Sequence, residues 1–291
     1  MGRHLNRAKA HFGTDTRGLL EGGRYALLHT RSLELDELRP YVPGDDVRDI
    51  DWKASARSGS VLIKRFVSEK HHKILLVADS GRNSSALAPS GELKRDIATN
   101  VMGAIGLISM GRSDEIGLVY GDSRGSASVR SRRGETHIES LLERFYSHSG
   151  SEGGVSDVVA QLEHVARAHR TRLLLIVVSD EPDVTPALER ALQQLNGRHE
   201  LMWLLLSDMP VIGSGSDEQD GFDVATGSFV LNGAALGSRV LAAYQAAEQR
   251  RSEELDELLA ANGVRFTRIG ASSEIRSKLV AMSEVYRRAG R

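Results

Sequence analysis

The sequence of 291 residues, with 40% hydrophobic and 26% charged side chains, has the composition of a soluble globular protein: one large domain, or one domain with an extension. Its formal net charge of −1 gives no reason to expect nucleic acid or an anionic membrane as a partner. The absence of cysteine excludes disulfides, thiolate metal sites and cysteine nucleophiles, and suits a reducing, cytoplasmic compartment.

The opening MGRHLNRAKAH has no apolar core and does not read as a signal peptide, and Asn6 stands where a myristoylation motif needs a hydroxyl. Residues 1–32 are basic with weak periodicity and predict a partly ordered lead-in, with a turn at Gly22-Gly23. An extension over residues 33–70 follows. Within it Pro40 disfavours helix at Arg39, Pro43-Gly44 fits the centre of a type II turn, and Asp45 is placed to take neighbouring N–H groups. Residues 60–67, SVLIKRFV, are rich in strand formers and predict a strand beside the main sheet.

A domain over residues 71–291 completes the chain. The apolar run 74–78 predicts a strand buried on both faces. Ser90 is placed to cap a helix whose Leu93, Ile97, Val101, Ile105 and Ile108 share one face and which Gly111 ends. A strand over 116–120 and a hairpin partner over 127–130 come next, then a helix carrying Ile138, Leu141, Leu142 and Phe145. Ser156 is placed to cap a helix with Val158, Val159, Leu162 and Val165. After a strand over 173–178, Thr185-Pro186 starts a helix that Asn196-Gly197 stops. A strand over 201–206 leads to a Gly- and Ser-rich excursion over 209–233. A charged helix over 234–261, a strand over 264–269 and a helix from Ser273 bearing Ile275, Leu279, Met282 and Tyr286 close the pattern. The longest apolar runs are too short to span a bilayer, so no membrane insertion is expected. The alternation predicts an α/β, Rossmann-like fold: a mainly parallel sheet with helices on both faces.

Residues 38–57, LRPYVPGDDVRDIDWKASAR, fit neither a helical nor an alternating pattern. Two readings stand. Arg48 and Arg57 can pair with Asp46, Asp49 or Asp51 while Trp52 fills a packing site, an ionic network that fixes geometry more than it adds stability. Alternatively Asp45, Asp46, Arg48, Asp51, Trp52 and Arg57 form a docking surface, since Trp and Arg are favoured interface anchors. A second constellation is the pair of strand-end aspartates, Asp79 and Asp180. In an open parallel sheet ligands bind beyond the carboxyl ends of the strands where strand order reverses. Oxygen-rich loops there can hold Mg²⁺, or the aspartates can instead cap the helices that follow. The sequence has no P-loop, G-x-S-x-G or H-E-x-x-H, and no histidine placed to make a triad with Ser179-Asp180 or Ser207-Asp208. Arg124, Arg130, Arg132 and Arg133 read as an exposed hairpin rim, and His71-His72 lack further metal ligands nearby.

The stretch GDDVRDIDWKASAR followed by a buried strand ending in Asp79 resembles the bacterial family called domain of unknown function 58, over residues 33–119 and more weakly through 176–180. The resemblance implies a von Willebrand factor A-like domain with an N-terminal extension, working in protein interaction rather than catalysis. It implies a MoxR-type AAA+ ATPase as partner, in the assembly or maturation of other protein complexes. Von Willebrand A domains that bind metal use an Asp-x-Ser-x-Ser loop, a threonine from a later loop and a further aspartate. This chain has Asp79-Ser80-Gly81-Arg82-Asn83 in the first loop and Val155 where the threonine belongs, with Ser156 as a shifted substitute. What the resemblance leaves is a degenerate site of Asp79, Asn83, Ser156 and Asp180, beside the positive charge of Arg82. No cofactor is then required, and Mg²⁺ is at most a weak ligand. The expectation is a non-enzymatic adaptor. Its rivals are a Mg²⁺-dependent von Willebrand A-type binding domain and a metal-dependent hydrolase, the latter lacking a recognisable nucleophile or base.

Overall fold

Short apolar runs separated by amphipathic helices leave the backbone one economical solution, a sheet whose two faces are both covered. The computed structural model of the chain describes residues 2–13, 35–42, 45, 47, 50–66, 73–150, 153–210, 221–230 and 237–289. They divide into two compact units, Met1–Leu28 with His72–Arg291, and His29–His71.

The larger unit begins with α1 (Arg3–Phe12) and is built on β3 (Lys73–Asp79), β4 (Glu115–Asp122), β5 (Gly125–Arg132), β6 (Leu174–Asp180), β7 (Glu200–Leu206) and β10 (Arg265–Ile269). These lie in the order β10-β7-β6-β3-β4-β5, all parallel except β5, which returns antiparallel to β4 as the expected hairpin partner. Strand order therefore reverses between β3 and β6. Side chains alternate across the pleat. Ile74, Leu76 and Ala78 join one core with α3 (Lys94–Gly111), α4 (Glu135–His148) and α8 (Ile275–Ala289). Leu75 and Val77 join the other with α5 (Val158–Ala168), α6 (Pro186–Asn196) and α7 (Ser238–Ala261). The expected α/β class, mainly parallel with helices on both faces, is the one observed.

Several local expectations need correction. The lead-in carries α1, whose Leu5, Ala8 and Phe12 are buried. Gly2 offers no side chain to cap it; instead the Glu139 carboxylate of α4 accepts from the His4 and Leu5 N–H groups at 2.8 and 2.9 Å. Close packing on α3 completes the anchor, since a Cβ on Gly103 would sit 2.4 Å from the Ala8 Cβ. Ser90 does not cap α3. Its hydroxyl donates to Glu92, the cap position is Leu93, and the Lys94 N–H is taken by the Ala86 carbonyl at 3.0 Å. The loop folding back on the helix start makes a side-chain cap unnecessary. Likewise Asp157, not Ser156, caps α5, accepting from the Ala160 N–H at 3.0 Å. Within the excursion after β7, β8 (Gly221–Phe222) and β9 (Phe229–Val230) make a small hairpin, its turn held by the Asp223 carboxylate.

The smaller unit pairs β1 (Leu35–Pro40) antiparallel with β2 (Leu62–Phe66), joined through α2 (Trp52–Ser58). The strand expected beside the main sheet thus belongs to a two-stranded sheet of its own. Gly22-Gly23, Pro43-Gly44, Asp46, Arg48, Asp49, His71 and His72 lie outside the described residues, as does the side chain of Tyr286. Among the described residues no helix is long and apolar enough to cross a membrane.

Candidate functional site

Parallel strands deliver their carboxyl ends, and whatever follows them, to one edge. At the reversal between β3 and β6 that edge opens into a cleft of about 620 Å³, lined among others by Asp79, Asn83, Ser156, Asp157, Asp180 and Asp208. The structure so brings together Asp79, Asn83, Ser156 and Asp180, the residues named from the sequence, and adds Asp157 and Asp208.

The backbone decides what each can do. Asp79 Oδ1 accepts from the Gly81 N–H at 2.8 Å, turning the loop after β3 back over the strand end. Burial pushes the Asp79 carboxyl up to about 7; the charges of Asp180 and Asp157 add to it, while the bonds from Gly81 and Ser156 hold it back. The Ser156 Oγ accepts from the Asn83 N–H at 3.3 Å. Ser80 faces away, its buried hydroxyl donating to the Gly121 carbonyl at 3.1 Å and lying 2.8 Å from His148 Nδ1. Ser179 is buried as well, receiving the Trp203 indole N–H at 2.9 Å and donating to the Asp180 carbonyl.

Beside the cleft, Asp122 holds the 153–157 loop. Its carboxylate accepts from the Gly154 N–H at 2.7 Å and from the Arg124 backbone and guanidinium. Burial alone would raise its carboxyl, but these donors bring it to about 2. On the other flank Arg268 of β10 bonds Glu181 at 2.8 Å and Asp256 at 2.7 Å, tying the turn after β6 to α7. Arg82 reaches the β8–β9 hairpin, donating to the Ala225 carbonyl, and that hairpin shows Phe222 and Phe229 to solvent.

The side chain that the sequence reading does not single out is Lys94. It starts α3, its side chain is fully buried, and its Nζ lies 2.7 Å from Asp180 Oδ1 and in contact with Asp208. Burial pulls the ammonium down, but the two aspartates more than reverse this and hold it above the usual lysine range, charged. Asp208 stands two residues past β7, so the strand-end rule that finds Asp79 and Asp180 reaches it too. No local signal marks Lys94.

These residues do not fit a divalent ion of the kind the resemblance implies. Asp180 Oδ1 already faces an ammonium. A Cβ on Gly81 would sit 2.5 Å from the Ser156 Cα, so the 153–157 loop fills the space of a ligating serine. Val155 supplies no side-chain oxygen and points to solvent. Among the described residues no group of three or more His, Asp or Glu is arranged to hold a metal.

In the smaller unit Asp45 and Asp51 each hold a nearby backbone N–H. Asp45 accepts from the Val42 N–H at 2.9 Å, and Asp51 caps α2 through the Ala54 N–H at 2.9 Å. The Ser55 hydroxyl donates to the Asp51 carbonyl and accepts from the Leu62 N–H, pinning α2 to the start of β2. The Arg57 guanidinium turns back to the Lys53 carbonyl. Trp52 is 68% exposed. Close by, a shallow groove is lined by Leu38, Asp51, Ala54, Arg57 and Leu62.

A von Willebrand factor type A protein from Catenulispora acidiphila aligns with a TM-score of 0.44 and 12% identity, over 77% of this chain and 43% of that one. The SpRpn10 VWA domain aligns with a TM-score of 0.41 and 8% identity, over 72% of this chain and 94% of that one. In sequence the chain is similar to uncharacterized proteins of Mycobacterium bovis and Mycobacterium tuberculosis, each 26% identical over 192 residues, 66% of this chain. The match spans 60% of those relatives' own length. The family model described as protein of unknown function DUF58 matches residues 37–210, a span that holds the Asp45–Arg57 block, the loop after β3 and the strand end at Asp180. The chain belongs to the DUF58 family.

Proposed function

We propose that this chain is a non-enzymatic, cytoplasmic adaptor that binds other proteins through the carboxyl edge of its sheet and through residues 45–57. Its partner in this reading is a MoxR-type AAA+ ATPase, and its task the assembly or maturation of other protein complexes. The observation that carries the reading is an acidic cleft at the carboxyl edge of the sheet, where Asp79, Asp157, Asp180 and Asp208 converge and present charge that a partner of complementary surface can recognise. Exposed Trp52, with Arg57 on the same short helix, supports a second contact, because an aromatic left in solvent is a ready interface anchor. The choice of an AAA+ ATPase follows from the family resemblance alone.

The test uses the purified chain and a MoxR-type ATPase from the same organism, with and without nucleotide, measured by calorimetry or interferometry. Association is expected in at least one nucleotide state. Trp52→Ala should weaken it by about tenfold or more, the scale of an anchor residue, with an unchanged melting temperature. No association in any nucleotide state counts against the proposal.

A further inference from the structure

The metal-binding pattern of von Willebrand A domains and this cleft disagree, and the disagreement has a specific cause. Lys94 combines two circumstances that are each unfavourable for a cation. It is the first residue of α3, where the helix dipole presents positive charge, and its side chain is wholly shielded from water. A lysine persists there only if strong acceptors meet it. They do: Asp180 comes from the end of β6 and Asp208 from just past β7, so one ammonium ties three elements together at the point where strand order reverses.

We infer that the Lys94 ammonium is the resident cation of this site, a tethered replacement for the divalent ion that the family's relatives in fold would place against the same strand-end aspartate. The chemistry of the donors agrees with this. An ammonium is satisfied by three acceptors, whereas Mg²⁺ needs about six oxygens in near-octahedral array. Here Asp180 offers Oδ1 to the lysine and its Oδ2 is enclosed with no hydrogen-bond partner. An ion ligating Asp180 would sit beside the Lys94 charge in a confined cleft, where like charges are poorly screened. Gly81 and Val155 withhold the other oxygens, as described above. The edge therefore carries a built-in positive charge whose position is set by packing and is independent of metal supply.

The experiment is a melting series on the full chain in Mg²⁺, Mn²⁺ and EDTA, with Mn²⁺ binding followed in parallel by paramagnetic resonance. Wild type is expected to show the same melting temperature in all three and no bound Mn²⁺ at millimolar metal. Lys94→Met is expected to melt several degrees lower and to become responsive, its melting temperature rising with Mn²⁺, because Asp180 and Asp208 have lost their cation. A wild-type melting temperature that rises with metal, and loses that rise in Asp180→Asn, overturns the inference. So does a folded Lys94→Met variant that remains indifferent to Mn²⁺. The wild-type arm needs no variant, so the inference stays testable if Lys94→Met does not fold. Because every arm uses the chain alone, its failure is distinct from a failure to bind the ATPase.

Discussion

At Gly81 the loop after β3 passes so near the 153–157 loop that a Cβ would begin 2.5 Å from the Ser156 Cα and 2.6 Å from its nitrogen. Both neighbours are backbone and cannot swing aside. Gly81→Ser, which restores the first serine of the Asp-x-Ser-x-Ser pattern, is expected to destabilise the chain by about 1–3 kcal/mol through overpacking and to bring no metal response. Urea denaturation with and without Mg²⁺ checks both halves. Asp79 gives a pH prediction. Its folded pKa of about 7 lies above the ordinary value of 3.8, so between these limits the folded state binds more protons than the unfolded state. Stability from this group is therefore greatest below about pH 4 and declines as pH rises to about 7, by at most about 4 kcal/mol. Asp79→Asn keeps the acceptor for Gly81 and removes the charge. It should be more stable than wild type at pH 8 and lack this component of the slope, which denaturation curves across the pH range would reveal.

Among the elements, α1 shows how a helix with no cap of its own is held. The N–H groups of His4 and Leu5 both go to Glu139, and the apolar face of Leu5, Ala8 and Phe12 is buried. Glu139→Ala leaves those two donors unsatisfied beside buried side chains, and should cost about 1–3 kcal/mol. Glu143→Ala removes the partner of the buried His4 ring nitrogen and of the Ser147 hydroxyl, and should also destabilise the chain. Chemical denaturation of the two variants side by side checks both. At the site, α5 depends on its cap in a similar way. Asp157→Ala should cost about 0.5–2 kcal/mol. The apolar stripes of α3 and α5 were legible, because a buried face imposes a 3.6-residue period whatever lies opposite, whereas residues 1–32 read as weakly periodic and did not reveal α1. The caps of α3 and α5 were less legible: Ser90 and Ser156 have the right chemistry, but the path of the preceding loop gave the first cap to a backbone carbonyl and the second to Asp157.

For the whole molecule, the two units differ in what can sustain them. The larger has a core on each face of a six-stranded sheet. Among the described residues, the unit His29–His71 pairs two strands and has one short helix, which buries none of its side chains. A single pair of strands with one short helix falls short of independent stability. Residues 29–71 produced alone should show no cooperative melting by circular dichroism, while the full chain should. A cooperative transition in the isolated segment would contradict this.

The strands and their order of appearance were set by the sequence, since burial on both faces demands uninterrupted apolar runs such as 74–78 and 201–206 and leaves aspartates at their ends. That Asp79 and Asp180 share an edge follows from the same rule, because parallel strands point their carboxyl ends one way. The family could likewise be read from the unusual block around Asp45–Arg57. Tertiary structure alone decided the rest. A lysine at the start of a helix looks locally like any solvent-facing lysine, and only the approach of α3 to the ends of β6 and β7 encloses Lys94 between Asp180 and Asp208. The same holds for Gly81, whose meaning is the backbone of a loop more than seventy positions away. Local pattern reports which face of an element is apolar; which charges meet across elements is a property of their packing.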